Sequence, residues 1–299
     1  MKHLFIINPA AGGVKGRLGQ VEREITEAAE GLNDPFVIHK TQAPMEAGQV
    51  IANASESADM LYVYACGGDG TLNECLSGAA LRANVALTHY PCGTGNDFLK
   101  TFGKENVHKF RDLKALMRGT VRPLDLIDCS GRYCINICSV GIDARVARDV
   151  HKYSSIPVIG GATGYVVALT VNVIRGVGER FLITTADGSE DRKITLACAC
   201  NGQYYGGGFN PIPEAVPDDG LLDFLVIKSV SRFKIAQIVG KYAKGQYRDY
   251  PELITRSSGS CMEFSSDREF VINTDGETIH ARSIYFKVVP KGINFIFPK

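Results

Sequence analysis

Three features of the chain predict an α/β protein in two parts, a parallel βαβ half followed by a mainly antiparallel β half. Apolar runs of strand length alternate with helical stretches up to Arg118-Gly119, the pattern of parallel βαβ units. Glycine-rich turns stand at the ends of three of those runs. Beyond Gly119 the apolar runs come in pairs separated by turn signals, which is how antiparallel hairpins read.

Each element follows from its own residues. Residues 3–7 form the first strand, and Leu18, Val21, Ile25 and Ala28 place one apolar face on the helix after it. Residues 36–40, 61–66 and 85–90 supply three further strands. A helix ending near Leu81 is expected to have Thr71 as its cap, and the one that follows Phe98 to have Asn96 or Asp97. In the second half the turn signals are Ser130-Gly131, Asp187-Gly188 and Pro290-Lys291-Gly292, with helices expected near 163–175 and 232–244. This suggests domains at 1–122 and 123–299, the last residues being able to pack back on the first domain.

Composition bounds the function. At 299 residues the chain exceeds a typical single core, so two domains are expected. Apolar content of 45% with 22% charged residues describes an ordinary folded protein, neither disordered nor fibrous. A net charge of +1 argues against a nucleic-acid partner, and no basic run is long enough to tether the chain to a membrane by charge alone. The nine cysteines lack paired CxxC spacing, so they are expected to be reduced, in a cytoplasmic protein. Cys198 and Cys200 alternate with alanines and should share one sheet face as small packing residues. Residues 4–7 are too short an apolar core for a signal peptide, and Asn8-Pro9 interrupts them.

The chemistry sits in the glycine turns. Gly67-Gly68-Asp69-Gly70-Thr71-Leu72-Asn73-Glu74 follows one strand and opens a helix. Its glycines let the backbone approach an anion with no Cβ in the way, and the helix N-terminus faces that anion. Asp69 beside a phosphate needs a bridging magnesium ion or a backbone N–H cluster to hold it there. Pro91-Cys92-Gly93-Thr94-Gly95-Asn96-Asp97-Phe98 repeats the arrangement, and Asn8-Pro9-Ala10-Ala11-Gly12-Gly13 follows the first strand.

These motifs, in this order, resemble the diacylglycerol kinase catalytic-domain family, which includes sphingosine and ceramide kinases and bacterial lipid kinases. The match continues through Asn201-Gly202-Gln203-Tyr204-Tyr205-Gly206-Gly207-Gly208, Pro217-Asp218-Asp219-Gly220-Leu221-Leu222-Asp223 and Thr274-Asp275-Gly276-Glu277, and so covers almost the whole chain. The resemblance implies a doubly wound nucleotide domain like that of NAD kinases and phosphofructokinases. It also implies a β-sandwich-like second domain, with the active site in the cleft between the two. ATP is the implied phosphate donor, with Mg2+, and a lipid alcohol at the inner membrane surface the implied acceptor. The implied nucleotide-side residues are Asn8, Pro9, Ala10, Ala11 and Gly12, then Gly67, Gly68, Asp69, Gly70, Thr71, Leu72 and Asn73, then Thr94 and Asn96, with Gly276 and Glu277. Thr41, at the end of the second strand, is a candidate for the adenine side.

Phosphoryl transfer to an alcohol needs charge neutralisation, a positioned hydroxyl and a late proton acceptor. Asp275 fits the acceptor, since Gly276 lets the chain turn sharply beside it, and the family places its catalytic base here. The same Asp-Gly pair also suits a type I′ hairpin turn. Asp125 stands where the family carries a second acidic residue coupled to the base, with Asp128 as its rival. In the 216–223 stretch, Asp219 with the carbonyls of Val216 and Leu221 is the implied structural magnesium site, a Pro-Asp-Asp-Gly turn being the alternative.

The uncharged stretch 156–174 is long enough in principle to span a bilayer. Pro157, Gly160, Gly161 and Gly164 break its first half, so a buried helix from Thr163 is expected; a lipid-cleft lining or an interface-dipping surface is the functional alternative. Thr278, where many relatives carry proline, and Leu99-Lys100 depart from the family pattern. A soluble NAD-kinase-like enzyme and a non-catalytic lipid- or nucleotide-binding protein are the other classes in view, and a sheet-edge homodimer is the expected assembly.

Overall fold

The computed structural model describes every residue except Gly13, Thr94, Gly95 and 155–160. The chain divides into two compact units, Met1–Leu126 with Pro290–Lys299, and Ile127–Val289.

The first unit is a parallel sheet with helical crossovers. Its elements run β1 (Lys2–Ile7), α1 (Leu18–Ala29), β2 (Phe36–Lys40), α2 (Glu46–Glu56), β3 (Leu61–Gly67), α3 (Asp69–Ala79), β4 (Val85–Pro91), α4 (Leu113–Met117) and the start of β5 (Thr120–Cys129). Strand order is β2-β1-β3-β4, all parallel, and Asn294 and Phe295 of a later strand add a parallel edge beside Ala86 and Leu87. β3 and β4 are apolar at nearly every position and are buried almost throughout, as parallel strands covered on both faces must be. The crossover helices bury one stripe each, Val21, Ile25 and Ala29 on α1 and Leu72, Cys75, Leu76 and Ala79 on α3.

The second unit is antiparallel. It contains β6 (Arg132–Cys134), β7 (Ile137–Gly141), α5 (Ile142–Ser154), α6 (Gly161–Arg175), β8 (Glu179–Thr185), β9 (Gly188–Cys200), β10 (Leu222–Lys228), α7 (Arg232–Tyr242), β11 (Ile254–Gly259), β12 (Cys261–Thr274) and, as far as Val289, β13 (Glu277–Phe297). The ladder runs β11-β10-β9-β7-β12-β13, with β8 paired to both β9 and β12. One core holds Phe181, Phe264, Phe270 and Phe286, each burial contributing about 1.5–3 kcal/mol. A second core lies under the helices around Ile142, Val146, Ile235 and Tyr242.

Two expectations need correction. Pro290-Lys291-Gly292 is not a hairpin turn, because β13 runs through it from Glu277 to Phe297. The left-handed Lys291 (φ 54) instead aims its N–H at Asp125. The uncharged segment is not a helix buried all round. Its described part, α6, buries Ala168 and Asn172 but leaves Val166 and Ile174 exposed, since a helix packed on one neighbour covers only one stripe. Residues 156–160 lie outside the described residues. Among those described, no helix is long and apolar enough to cross a membrane.

Candidate active-site loops and the Asp275 turn

In the first unit the parallel strands bring their C-terminal ends to one edge, where α/β sheets bind ligands. Asn8 follows β1; its N–H donates to the Cys66 carbonyl (3.3 Å) and its side-chain oxygen accepts from Ala10 N–H (2.9 Å). Thr41 follows β2 and donates its N–H to the Ile7 carbonyl (3.0 Å). A Cβ added at Gly12 or Gly70 would meet nothing within 4 Å, so both glycines border open space.

The Gly67 and Pro91 loops are built against each other. A Cβ on Gly93 would lie 2.5 Å from the Gly68 Cα, so only glycine permits this approach. The N–H groups of Cys92 and Gly93 both donate to the Gly67 carbonyl, at 2.8 and 2.9 Å. Asp69 then accepts the N–H of Asp97 on both carboxylate oxygens, at 2.9 and 3.0 Å. Of the two partners expected for Asp69, this is the backbone one. Burial pushes its carboxyl upward; His89 and the N–H groups of Asp97 and Phe98 oppose this without cancelling it. His89 lies fully buried beneath the loop with Nε2 3.1 Å from the Gly67 carbonyl, and burial lowers its own value.

Of the expected caps, Asp97 stands at its cap position without a side-chain bond and Thr71 is displaced. α3 begins at Asp69 with Gly68 in extended backbone as its cap, so Thr71 lies inside the first turn. It is buried there against Gly67, where an added Cβ would stand 2.2 Å from its hydroxyl oxygen. Asn96 and Asp97 make no capping bond to the short 3₁₀ turn Phe98–Phe102; left-handed Asn96 (φ 49) instead donates its amide to the Gly93 carbonyl at 2.7 Å. Leu72 is a core residue. Asn73 is half-buried on α3. Thr94 lies outside the described residues.

Asp125, also in this unit, is buried, and one of its oxygens accepts the Lys291 N–H at 2.7 Å. Its rival Asp128 closes the β5–β6 turn, accepting from Gly131 N–H (2.7 Å) and the Tyr285 hydroxyl (3.2 Å).

In the second unit Asp275 and Gly276 are the two turn residues between β12 and β13, with φ of 54 and 95 and Thr274 paired to Glu277. This is the geometry of a type I′ hairpin turn. The turn also presents a carboxylate. Asp275 accepts the N–H groups of Ile135 (2.7 Å), Ile137 (2.8 Å) and Asn136 (3.2 Å). Burial, and then the neighbouring Cys134, push its carboxyl well above the ordinary range, against the pull of those three donors. Asn273 accepts Gly276 N–H at 2.8 Å and fixes the turn.

The Asn201 motif supports this clamp. Asn201 donates its side-chain amide to the Ile135 carbonyl (2.7 Å), and the N–H groups of Asn201 and Gly202 donate to the Asn136 carbonyl (2.9 and 3.0 Å). Asn136 in turn donates its side-chain amide to the Tyr204 carbonyl (2.8 Å). A buried network extends from there. Ser139 donates to Asp143 (2.6 Å), which also accepts from the Tyr205 hydroxyl (3.0 Å); Tyr205 lies 2.8 Å from the Tyr242 hydroxyl. Sequence reasoning missed residues 135–137 and His89. Backbone N–H groups carry no sequence signal, and a single histidine in an apolar strand reads as core.

Val216, Asp219 and Leu221 are all exposed in the loop before β10, where an Asp219 oxygen accepts Leu221 N–H at 2.9 Å. The donor set, one carboxylate and two carbonyls, is all hard oxygen and open to water, which fits a partly hydrated magnesium ion.

Both halves of the chain match known proteins. Residues 2–129 match the diacylglycerol kinase catalytic domain, and residues 136–297 the YegS C-terminal NAD kinase beta sandwich-like domain. A Shewanella frigidimarina relative named "Probable lipid kinase YegS-like" is 29% identical over 269 residues, 81% of this chain and 82% of that protein. A solved Bacillus anthracis structure described as a diacylglycerol kinase superposes with a TM-score of 0.69 at 22% identity, covering 99% of this chain and 96% of its own. Another solved chain from that organism gives 0.76 at 23% identity, with 99% and 95% covered.

Proposed function

Because the chain belongs to the diacylglycerol kinase catalytic-domain family of lipid kinases, which take ATP as phosphate donor, we propose that it transfers the γ-phosphoryl group of ATP to the hydroxyl of diacylglycerol or a related lipid alcohol. The observation that carries this reading is the pair of glycine loops at the sheet edge, locked by the Asp69 carboxylate on the Asp97 N–H. They leave the α3 N-terminus and exposed glycine backbone for phosphate.

In this reading Asn8 to Gly12, the Gly67 loop and Asn96 bind the nucleotide, with Thr41 on the adenine side, and Gly276 and Glu277 complete the nucleotide-side set. Asp275 takes the proton from the lipid hydroxyl late in the transfer, and Asp125 is the second acid. Asp219 with the carbonyls of Val216 and Leu221 would hold a structural Mg2+; a catalytic Mg2+ supplied with the nucleotide would neutralise phosphate charge, Asp69 being its best local partner. Exposed Val166 and Ile174 on α6 and Phe233 on α7 offer apolar contacts for a membrane surface, where such a lipid resides.

The test is phosphate transfer from γ-labelled ATP with magnesium to a panel of lipid alcohols in mixed micelles, wild type against Asp275→Ala. A labelled lipid with wild type and a strongly impaired yet folded variant is the expected result. No labelled lipid while ATP still binds would overturn the lipid-kinase reading for that panel and turn attention to NAD and other soluble acceptors.

A further inference from the structure

A buried sulfur triangle lies beside the Asp275 clamp and takes no part in the proposed chemistry. The Cys129 sulfur is 3.2 Å from that of Cys138 and 3.9 Å from that of Cys134, and all three lie within 4.8 Å of one another. The β5–β6 hairpin and β7 converge to place them there: Cys134 faces Ile127 across the hairpin, and Cys138 on β7 pairs with Ala199 of β9 and Thr274 of β12. Cys129 is 1% exposed and the other two are fully buried among apolar side chains.

We propose that Cys129, Cys134 and Cys138 form a closed binding site for a thiophilic monovalent metal ion, copper(I). Metal–sulfur bonds of about 2.3 Å let one ion touch three sulfurs up to about 4 Å apart, which is the scale of this triangle. Hard cations are excluded because the triangle offers no oxygen ligand. Zinc favours four ligands, and among the described residues no fourth histidine, cysteine or carboxylate joins the three. Soft, three-coordinate copper(I) is what remains. On binding, Cu–S bonds form, each coordinating thiol gives its proton to solvent, and no electron is transferred. Ser130 and Gly131, at the hairpin tip next to Cys129, are exposed.

The site has a mechanical consequence that rests on the function proposed above. Cys134 and Cys138 bracket residues 135–137, whose N–H groups hold Asp275. An ion on both cysteines therefore fixes the two ends of that clamp and alters phosphoryl transfer.

The test supplies copper(I) as its acetonitrile complex, without oxygen, in competition with a chromophoric copper(I) chelator. Wild type is expected to withhold one equivalent, and Cys134→Ser and Cys138→Ser to weaken binding at least tenfold. Cys261→Ser, on β12 away from the triangle, should leave binding unchanged, and X-ray absorption should find three sulfur neighbours. Equal competition by wild type and the two triangle variants, a nitrogen or oxygen neighbour in the shell, or tighter binding of zinc would each overturn the site. Should the variants fail to fold, pulsed alkylation of wild type with and without copper decides: copper should slow labelling of Cys129, Cys134 and Cys138 while leaving the rates at the equally buried Cys198 and Cys200 unchanged, and equal slowing at all five or none overturns the proposal. Asp275→Ala should retain copper while losing transfer, so failure of the metal site and failure of the kinase reading give different results.

Discussion

The loop at Asp69 and the turn at Asp275 both end in a carboxylate held by backbone N–H groups, yet they use glycine for different reasons. Around Asp69 two backbones touch, and Gly93 is required because a Cβ would strike Gly68. Around Asp275 there is room: a Cβ on Gly276 would meet nothing within 4 Å, but its φ is 95. One site excludes side chains by contact and the other by backbone angle. Equivalent substitutions should therefore fail differently in the two places. In both, burial raises the carboxyl value against the pull of N–H donors, which sets them apart from carboxylates paired with cations.

The largest expected effect tests what the Asp275 carboxylate is for. Asp275→Asn should lower the transfer rate by about 10²- to 10⁴-fold, the usual contribution of a positioned acid or base, while nucleotide affinity stays within about twofold of wild type. Equal losses in rate and nucleotide affinity would make Asp275 a nucleotide-binding group.

The glycine pair separates contact from angle. Gly93→Ala should cost about 2–3 kcal/mol in chemical denaturation, since backbone must move away from backbone, and should weaken nucleotide binding with it. Gly276→Ala should cost about 1–2 kcal/mol, from the left-handed backbone alone. Asparagine sharpens the contrast. It tolerates left-handed angles, so Gly276→Asn should recover part of the loss, whereas Gly93→Asn should be worse than Gly93→Ala. Recovery at both positions would mean the Gly67 and Pro91 loops part more easily than their spacing implies.

Much of this was legible in the sequence, for identifiable reasons. The parallel half declared itself through apolar strands buried on both faces, and the glycine loops through their places at strand ends. Asp275-Gly276 was legible as a turn because Asp-Gly is the favoured pair where both residues take left-handed angles. The holders were not legible. Asp97 donates through its backbone to Asp69, and residues 135–137 donate to a side chain some hundred and forty positions away, so no local pattern encodes either bond. Thr71 misled as a cap because Gly68 can take the capping conformation without a side chain. Pro290-Lys291-Gly292 misled as a turn because Asp125 takes the N–H that the bent strand exposes.

A third carboxylate tests whether the holder, backbone or cation, decides which way a buried aspartate shifts. Asp149 on α5 is more fully covered than the half-buried Asp69 and Asp275, but meets Arg148 (2.9 Å), Arg175 (2.9 Å) and Lys152 (3.2 Å), with the Asn172 amide at 3.2 Å. Burial is the largest single influence and acts upward, but the bonds from Arg148, Asn172 and Lys152 outweigh it and hold the carboxyl well below its ordinary range. A depressed value means that the folded state releases the proton more readily than the unfolded chain. Its contribution to stability is thus fully present above the unfolded value of about 4 and is lost as pH falls below it toward the folded value. Denaturant midpoints measured from pH 7 down to pH 2 should show Asp149→Asn less stable than wild type at neutral pH and converging on it in acid. Parallel acid limbs in the two proteins would mean that the cations around Asp149 do no more than offset its burial, leaving no net shift between the folded and unfolded chain.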